Sequence, residues 1–244
     1  RRPSCITCHA SMTAEFVLSE LLSMANPEKA VFLQRFFKTG PGQYAEGDVF
    51  LGLVVPLTRS IAKANKQTPL AELQKLMDSE YHEARLCALL IAVEQFKKAS
   101  DADRKKLYDF YLGNARRINN WDLVDVTCPH LVGLYLLDKD RSRLYELAES
   151  DCLWEQRIAM VSTVTFIRNR EYSDTLALAE KLMSHKHDLM HKAVGWMLRE
   201  VGKKDRETLT AFLEEYATRL PRTALRYAIE HYPEDQRQYF LKKK

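Results

Sequence analysis

The sequence predicts an all-α fold, built from consecutive helix pairs in a single domain. Three observations favour it: helix-capping residues recur along the chain, apolar residues repeat at helical spacing, and the alternating pattern of β-strands is nearly absent. Of the 244 residues, 46% are hydrophobic and 29% are charged, which is an ordinary globular composition. Gly and Pro are scarce, at eight each, and no Ser/Gly-rich linker divides the chain.

Capping signals mark several helix starts. They are Asn26-Pro27-Glu28, Thr68-Pro69 with Glu72, and Ser100 with Asp103. In each, a side chain that can accept a hydrogen bond from the first turn precedes an acidic residue, which is the arrangement that N-termini prefer. We therefore expect helices to begin behind Asn26, Thr68 and Ser100.

The apolar residues behind these caps follow a period of about 3.6 residues. Two predicted stripes are Leu107, Phe110 and Tyr111, and then Leu131, Leu134, Tyr135 and Leu137. We expect roughly a dozen helices, most of about 10 to 18 residues. Helix pairs repeating every roughly 35 to 45 residues are typical of a HEAT-like α-solenoid, whose curved stack offers a concave surface. A non-repetitive helical bundle remains the alternative.

One stretch is rich in turn formers. Residues 39–48 carry three glycines and a proline, so this stretch predicts a loop. The loop could touch a substrate or simply connect two helices, and the sequence leaves both open.

Charge is unevenly distributed along the chain. From Lys181 to Lys244 there are 14 Lys/Arg against 9 Asp/Glu, a surplus of +5, whereas the whole chain carries +4. A cationic C-terminal third is suited to a phosphate backbone, although a solvated helix face would have the same composition.

The terminal region and the cysteines indicate the compartment. We interpret residues 1–11 as a terminal extension or as residues left by cloning, and residues 12–244 as the folded domain. No apolar run is long enough for a membrane span. Five unclustered cysteines favour free thiols in the cytoplasm. Cys5, Cys8 and His9 match a haem-attachment pattern, which we interpret as incidental.

Signals for metals and nucleotides are weak. His185, His187 and His191 resemble a metal cluster, but the glutamate of a zinc-hydrolase motif is missing between them. No Gly-Lys-Ser/Thr follows the glycine-rich stretch at 39–48. We expect neither a metal nor a cofactor.

The pair Trp121 and Asp125 indicates a more specific chemical role. Four residues apart on a helix, an indole and a carboxylate project from the same face. A carboxylate can stabilise the positive charge that develops on deoxyribose during N-glycosidic cleavage or orient the attacking water, and an indole can meet a cationic base. Spacing alone also permits a core aromatic at Trp121 and a capping or solvated acid at Asp122 or Asp125.

Two further positions have both a functional and a structural interpretation. Gly195 beside Trp196 costs helix stability unless DNA or another helix approaches closely there. Arg157 precedes an apolar run, so it would sit at the edge of a buried face, either as a fork for phosphate or carboxylate or as a structural salt bridge.

Together these stretches resemble the AlkD-type DNA alkylation-repair family of HEAT-like glycosylases. The resemblance runs from about Met12 to the C-terminus, and the ordered set of stretches is more specific than any one of them. The matching stretches are 26–29, 34–40, 50–56 with Arg59, 121–125, 154–157, 191–200 and 221–230.

The resemblance implies that Asp125 is the catalytic carboxylate and that Trp121 and Trp196 contact the deoxyribose of the lesion, without the full base flipping of most glycosylases. It also implies that Arg157 supports the site and the DNA backbone. The full set expected to bind DNA is Arg157, Phe36, Arg59, Lys192, Arg199, Lys203, Arg222 and Arg226. Phe36, where the best-known member has a tyrosine, and Val54, where relatives are polar, depart from the pattern.

We therefore expect a monomeric enzyme that acts on duplex DNA containing N3- or N7-alkylated purines, with no obligate protein partner and no membrane association. Two alternatives stay open. One is a DNA-binding relative with weak or lost excision, for which Phe36 and Val54 are the motive. The other is a solenoid scaffold for protein partners.

Overall fold

The structure, a computed structural model, describes residues 12–243, and these residues form helices and connecting loops without a β-sheet. Their one trace of strand is an isolated bridge between Val49 and Tyr81. The all-α class predicted from the sequence is confirmed. Residues 1–11, with the haem-like Cys5, Cys8 and His9, lie outside the described residues.

The chain divides into two compact units, one up to Leu123 and one from Val124 onward. In the first unit the helices are α1 (Ala14–Ser23), α2 (Pro27–Phe36), α3 (Val55–Ala64), α4 (Leu70–Met77), α5 (His82–Phe96) and α6 (Asp101–Gly113), followed by a 3-10 turn at Ala115–Arg117. The five-residue helix α7 (Trp121–Asp125) contains the boundary.

The second unit begins with a π-helical turn, Pro129–Gly133. Its helices are α8 (Leu134–Leu136), α9 (Ser142–Ala148), α10 (Leu153–Ser162), α11 (Val164–Arg168), α12 (Ser173–Leu182), α13 (Asp188–Lys204), α14 (Arg206–Tyr216), α15 (Arg222–Ala228) and α16 (Glu234–Lys242). Several are shorter than the 10 to 18 residues that the pattern predicted.

In each unit one long helix organises the core. Helix α5 packs against α3, α4 and α6, and it is buried on nearly all sides. Helix α13 packs against α10, α12, α14 and α15. Both central helices therefore serve as rigid supports for the side chains that they carry.

Two of the three predicted caps are confirmed. Asn26 accepts a hydrogen bond from the Lys29 amide at 3.0 Å, and Ser100 accepts one from the Asp103 amide at 3.2 Å. The third was wrong: α4 begins after Pro69, which cannot cap through a side chain, and the Thr68 hydroxyl donates to the Asn65 carbonyl instead.

The second predicted stripe was also wrong in part. Leu107, Phe110 and Tyr111 are buried, as their spacing predicted. Leu134, in the second stripe, is 43% exposed, whereas Leu136 is buried. The π turn before Leu134 closes its hydrogen bonds over five residues instead of four, which rotates the faces of the residues behind it.

Candidate functional site

The short helix α7 carries two of the predicted site residues, Trp121 and Asp125. It begins where the Asn120 side chain accepts a hydrogen bond from the Trp121 amide at 2.8 Å. The π turn at Pro129–Gly133 follows it after a few residues. Single π turns inside helical segments are frequent at functional sites.

In the second unit, the Asp125 carboxylate is held by Arg157 through two parallel hydrogen bonds. Arg157 donates from Nε to Oδ1 at 2.9 Å and from Nη2 to Oδ2 at 2.8 Å. The third guanidinium nitrogen, Nη1, donates to the Leu189 carbonyl at 2.5 Å. Bidentate pairs of this kind fix orientation as well as charge.

The pair is buried on one side and open on the other. The Arg157 side chain is 6% exposed and the Asp125 side chain is 15% exposed. Burial raises the pKa of the neighbouring Cys128 thiol, so this group stays neutral beside the ion pair. Arg157 is thus a buried support, and the carboxylate of Asp125 remains reachable from solvent.

In the first unit, Trp121 lies against a cluster of aromatic rings. It stacks on Phe37 with ring centroids 5.2 Å apart, Phe37 stacks on Phe50 at 5.2 Å, and Phe50 stacks on His82 at 4.3 Å. Phe36 meets Trp121 edge-on at 6.0 Å and is itself 52% exposed. Phe37 also lies 5.4 Å from His82, so Phe37, Phe50 and His82 form a triangle of rings, which Trp121 and Phe36 border through Phe37.

A buried ion network adjoins this aromatic cluster at His82. His82 Nε2 lies 2.8 Å from Asp122, and Arg85 donates to Asp48 at 2.8 Å and to Asn119 at 3.0 Å. Burial opposes protonation of His82, but the carboxylates of Asp122 and Asp48 outweigh it and raise its pKa to about 9. His82 is therefore a cation at neutral pH, stacked on Phe50.

Asp122 and Asp125 consequently have different surroundings despite their proximity in sequence. Asp122 is buried, pairs with His82 and accepts a hydrogen bond from the Leu123 amide at 2.8 Å, so of the capping and solvated interpretations the solvated one does not hold for it. Asp125 instead pairs with Arg157. Of the two carboxylates, Asp125 is the more exposed.

A family model described as DNA alkylation repair enzyme matches residues 17–232. The chain belongs to the DNA alkylation repair enzyme family. A solved structure titled a predicted DNA alkylation repair enzyme from Enterococcus faecalis has the same fold, with a TM-score of 0.66 at 16% identity over 86% of this chain and 97% of that one. No curated protein matches this chain significantly.

The family's expected DNA-binding residues on α13 lie along one helix. Trp196 is partly exposed, and Lys192 pairs with Asp188 at 2.9 Å. Arg199 pairs with Glu230, and Lys203 pairs with Glu200 at 2.7 Å. Each of these three cations thus has an acidic neighbour that a phosphate would have to outcompete or share.

Gly195 next to Trp196 is explained by another helix. A Cβ at this position would lie 2.5 Å from the Tyr227 Cβ and 2.6 Å from the Ala224 carbonyl oxygen, both on α15. Of the two approaches that the sequence left open, the structure shows helix packing.

The remaining expected residues are scattered over each unit. Arg59 lies on α3. The hydrogen bond from Lys97 lowers the pKa of the Glu94 carboxyl, and the positive charge of Arg59 adds to this effect. In the second unit Arg222 donates to the Leu241 carbonyl at 3.0 Å, and Arg226 is exposed.

The Val54 departure has a local consequence. Val54 is the N-cap of α3, and it makes no side-chain cap hydrogen bond. A polar residue there could accept from the first turn, a contact worth about 1 kcal/mol. Val54 is instead 42% exposed as an apolar side chain.

Sequence reasoning missed the network of Asp48, His82, Arg85 and Asp122. A signal was present, since His82, Glu83 and Arg85 introduce charge at the start of an otherwise apolar helix. Their long-range partners are 30 to 40 residues away in sequence and could not be assigned from spacing.

The three histidines His185, His187 and His191 are engaged in local hydrogen bonds. His187 Nδ1 accepts from the Leu189 amide at 3.1 Å, and His185 Nδ1 accepts from the His187 amide at 3.0 Å. His187 thereby caps α13. Burial lowers the pKa of both His185 and His187, in keeping with neutral rings that accept hydrogen bonds.

No helix within residues 12–243 is both long and apolar enough to cross a bilayer. The same residues include three cysteines outside disulfides, of which Cys87 and Cys128 are buried and Cys152 is partly exposed.

Proposed function

We propose that this member of the DNA alkylation repair family hydrolyses the N-glycosidic bond of N3- or N7-alkylated purines in duplex DNA, with Asp125 as the catalytic carboxylate. The observation that supports it most is the Asp125–Arg157 pair, a carboxylate fixed in orientation by a buried arginine and still open to solvent.

The chemistry requires one negative group and little else. A purine alkylated at N3 or N7 carries a positive charge, so it leaves as a neutral base without a general acid. The bond that breaks leaves an oxocarbenium-like sugar, and a preorganised anion stabilises that charge. A water molecule then supplies the hydroxyl group to the sugar and releases a proton, and no metal or cofactor is required.

The geometry of Asp125 suits this role. A carboxylate has about four lone-pair directions, and the two hydrogen bonds from Arg157 occupy two of them. The exposed part of the side chain, 15% of it, is where the sugar or the attacking water would approach. Because Arg157 already fixes the side chain, little reorganisation is needed when positive charge develops.

Trp121 and Trp196 supply the aromatic surfaces of the proposal. Trp121 precedes Asp125 by one turn of α7, and its indole is supported from behind by Phe37. On α13, Trp196 follows Leu189, whose carbonyl binds Arg157, by two turns, roughly 10 Å along the axis. Indole faces can contact the cationic base or the sugar edge.

The cations Arg59, Lys192, Arg199, Lys203, Arg222 and Arg226 are the proposed contacts to the DNA backbone. Phe36 would contact the DNA as an apolar ring that lacks the hydroxyl of a tyrosine. Since the proposed substrate is duplex DNA, we propose that the protein works in the cytoplasm at the nucleoid, as a monomer without an obligate protein partner.

The test is base release from DNA methylated with a simple alkylating agent. The purified protein is incubated with the DNA, and free 7-methylguanine and 3-methyladenine are measured by chromatography. Release above the spontaneous rate supports the proposal. Salt-dependent binding without release would identify a DNA-binding relative that has lost excision, and neither binding nor release would favour a scaffold.

A further inference from the structure

A cavity of about 310 Å³ opens in the second unit where the end of α13, the start of α14 and the end of α15 meet. Its charged and aromatic lining residues are Arg199, Lys203, Lys204, Arg206, His231 and Tyr232. No Asp or Glu lines it. Four cations around one concavity create a local positive field that attracts anions.

Contacts with neighbouring residues of the second unit hold the side chains of Arg199 and Arg206 in place beside the cavity. Arg206 donates from Nη2 to the His231 carbonyl at 2.9 Å, and its guanidinium lies 4.8 Å from the centre of the Tyr232 ring. Arg199 is oriented by Glu230. A guanidinium fixed in this way binds an anion with less loss of side-chain entropy than a free one.

The four cations are not all neutralised. Arg199 pairs with Glu230 and Lys203 pairs with Glu200. Lys204 and Arg206 form no ion pair among the residues that the structure describes. Two positive charges on neighbouring helices therefore lack an acidic partner, and the concavity between them can accommodate an oxyanion.

We propose that this cavity binds a phosphate group. Arginine and lysine together offer forked and single N–H donors to the three non-bridging oxygens of a phosphate, and charge-assisted hydrogen bonds of this type are strong. The phosphate can belong to the DNA backbone, in which case the inference rests on the proposed function. It can also belong to a small phosphorylated anion.

The position on α13 favours the DNA backbone. Trp196, Arg199 and Lys203 are spaced by three and four residues, so they project from one face of the helix. Lys203 follows Trp196 by roughly 10 Å along the axis, which is about the rise of three base steps of a duplex. The cavity would then anchor the strand a few nucleotides away from the base that Trp196 contacts.

The experiment combines variants of the protein with single-phosphate changes in the DNA. A duplex with a stable abasic analogue at one position is made with one neutral methylphosphonate at each flanking step in turn. Binding of each duplex is measured for the wild type, for the double variant Lys204→Gln/Arg206→Gln, and for the control Lys105→Gln/Lys106→Gln on α6. A second arm titrates inorganic pyrophosphate into each protein without DNA.

If the cavity holds a DNA phosphate, one methylphosphonate position weakens wild-type binding by about tenfold but barely affects the double variant, because both changes remove the same contact. If it holds a small anion, pyrophosphate binds the wild type and the control but not the double variant, while the DNA effects stay additive. Additive DNA effects at every step together with no loss of pyrophosphate binding in the double variant would overturn the inference. Because every readout is binding, failure of base release leaves this test intact.

Discussion

Arg157 donates to both carboxylate oxygens of Asp125, at 2.9 and 2.8 Å, and its third nitrogen donates to the Leu189 carbonyl at the start of α13. One guanidinium thus ties together the end of α7, helix α10 and the first turn of α13. The two oxygens of Asp125 are fixed in the plane of the fork, and Arg157 is the positioning residue of the proposed site.

Replacement of this fork by a point charge should therefore impair catalysis. Arg157→Lys keeps the positive charge but cannot donate in parallel to both oxygens. We expect base release to fall by about tenfold or more while affinity for duplex DNA changes little. Single-turnover release and an anisotropy titration measure the two effects.

Arg141→Lys provides the matched control. Arg141 binds Asp174 at 2.7 Å and Glu171 at 2.6 Å in the same unit. It should lose stability without losing base release. Equal release by wild-type protein and Arg157→Lys would show that the fork does not position the carboxylate.

The His82–Asp122 pair predicts how stability depends on pH. The folded pKa of His82, about 9, lies above its ordinary value of 6.5. The stabilisation is therefore complete below pH 6.5 and is lost as the pH rises through about 9. Between pH 6.5 and pH 9, the free energy of unfolding measured with urea should fall less for Asp122→Asn than for the wild type. The reason is that asparagine removes the charge that favours protonation of His82.

Other titrating groups contribute equally to both proteins in that comparison, so the difference between them isolates the pair. An identical pH dependence of the unfolding free energy in the wild type and in Asp122→Asn would mean that His82 is not held protonated by Asp122.

The glycine beside Trp196 gives a test of packing. Gly195→Ala would place a methyl group 2.5 Å from the Tyr227 Cβ, so we expect a loss of about 1 to 3 kcal/mol in the free energy of unfolding. Gly113→Ala at the end of α6 meets nothing within 4 Å and should gain about 0.5 to 1 kcal/mol. Urea unfolding measures both, and equal effects at the two positions would contradict the close approach of α15.

Salt dependence tests the proposed backbone contacts. Each phosphate contact should contribute about 0.9 log unit of lost affinity per log unit of salt. Arg226→Gln removes one exposed cation and should lower that slope by about one while weakening all duplex sequences alike. Arg143→Gln, on α9 and paired with Glu146, is the control. Binding that does not change with salt would argue against a phosphate interface.

The sequence predicted the helical class, the caps at Asn26 and Ser100, and the loop at 39–48 because these depend on residues close in the chain. It failed at Thr68, because Pro69 occupies the N-cap position of α4. It also failed at the π turn, because hydrogen bonds that span five residues shift the helical period by one residue.

Prediction of the candidate site was limited by long-range partners. Local spacing placed Trp121 and Asp125 on one helix, and the structure bears out that placement. The two acids of this helix could not be told apart from sequence, because their surroundings are set by His82, 40 residues before Asp122, and by Arg157, 32 residues after Asp125. Burial and partner choice at that range follow from the packing of helices.

The most direct measurement is single-turnover release of 7-methylguanine and 3-methyladenine by Asp125→Asn, beside Asp174→Asn. The two carboxylates are matched, since each binds an arginine and their side chains are 15% and 16% exposed. We predict that Asp125→Asn still binds duplex DNA but releases base about 10² to 10³ times more slowly, about 2.7 to 4 kcal/mol, while Asp174→Asn stays at the wild-type rate. Wild-type release by a folded Asp125→Asn would contradict the carboxylate mechanism.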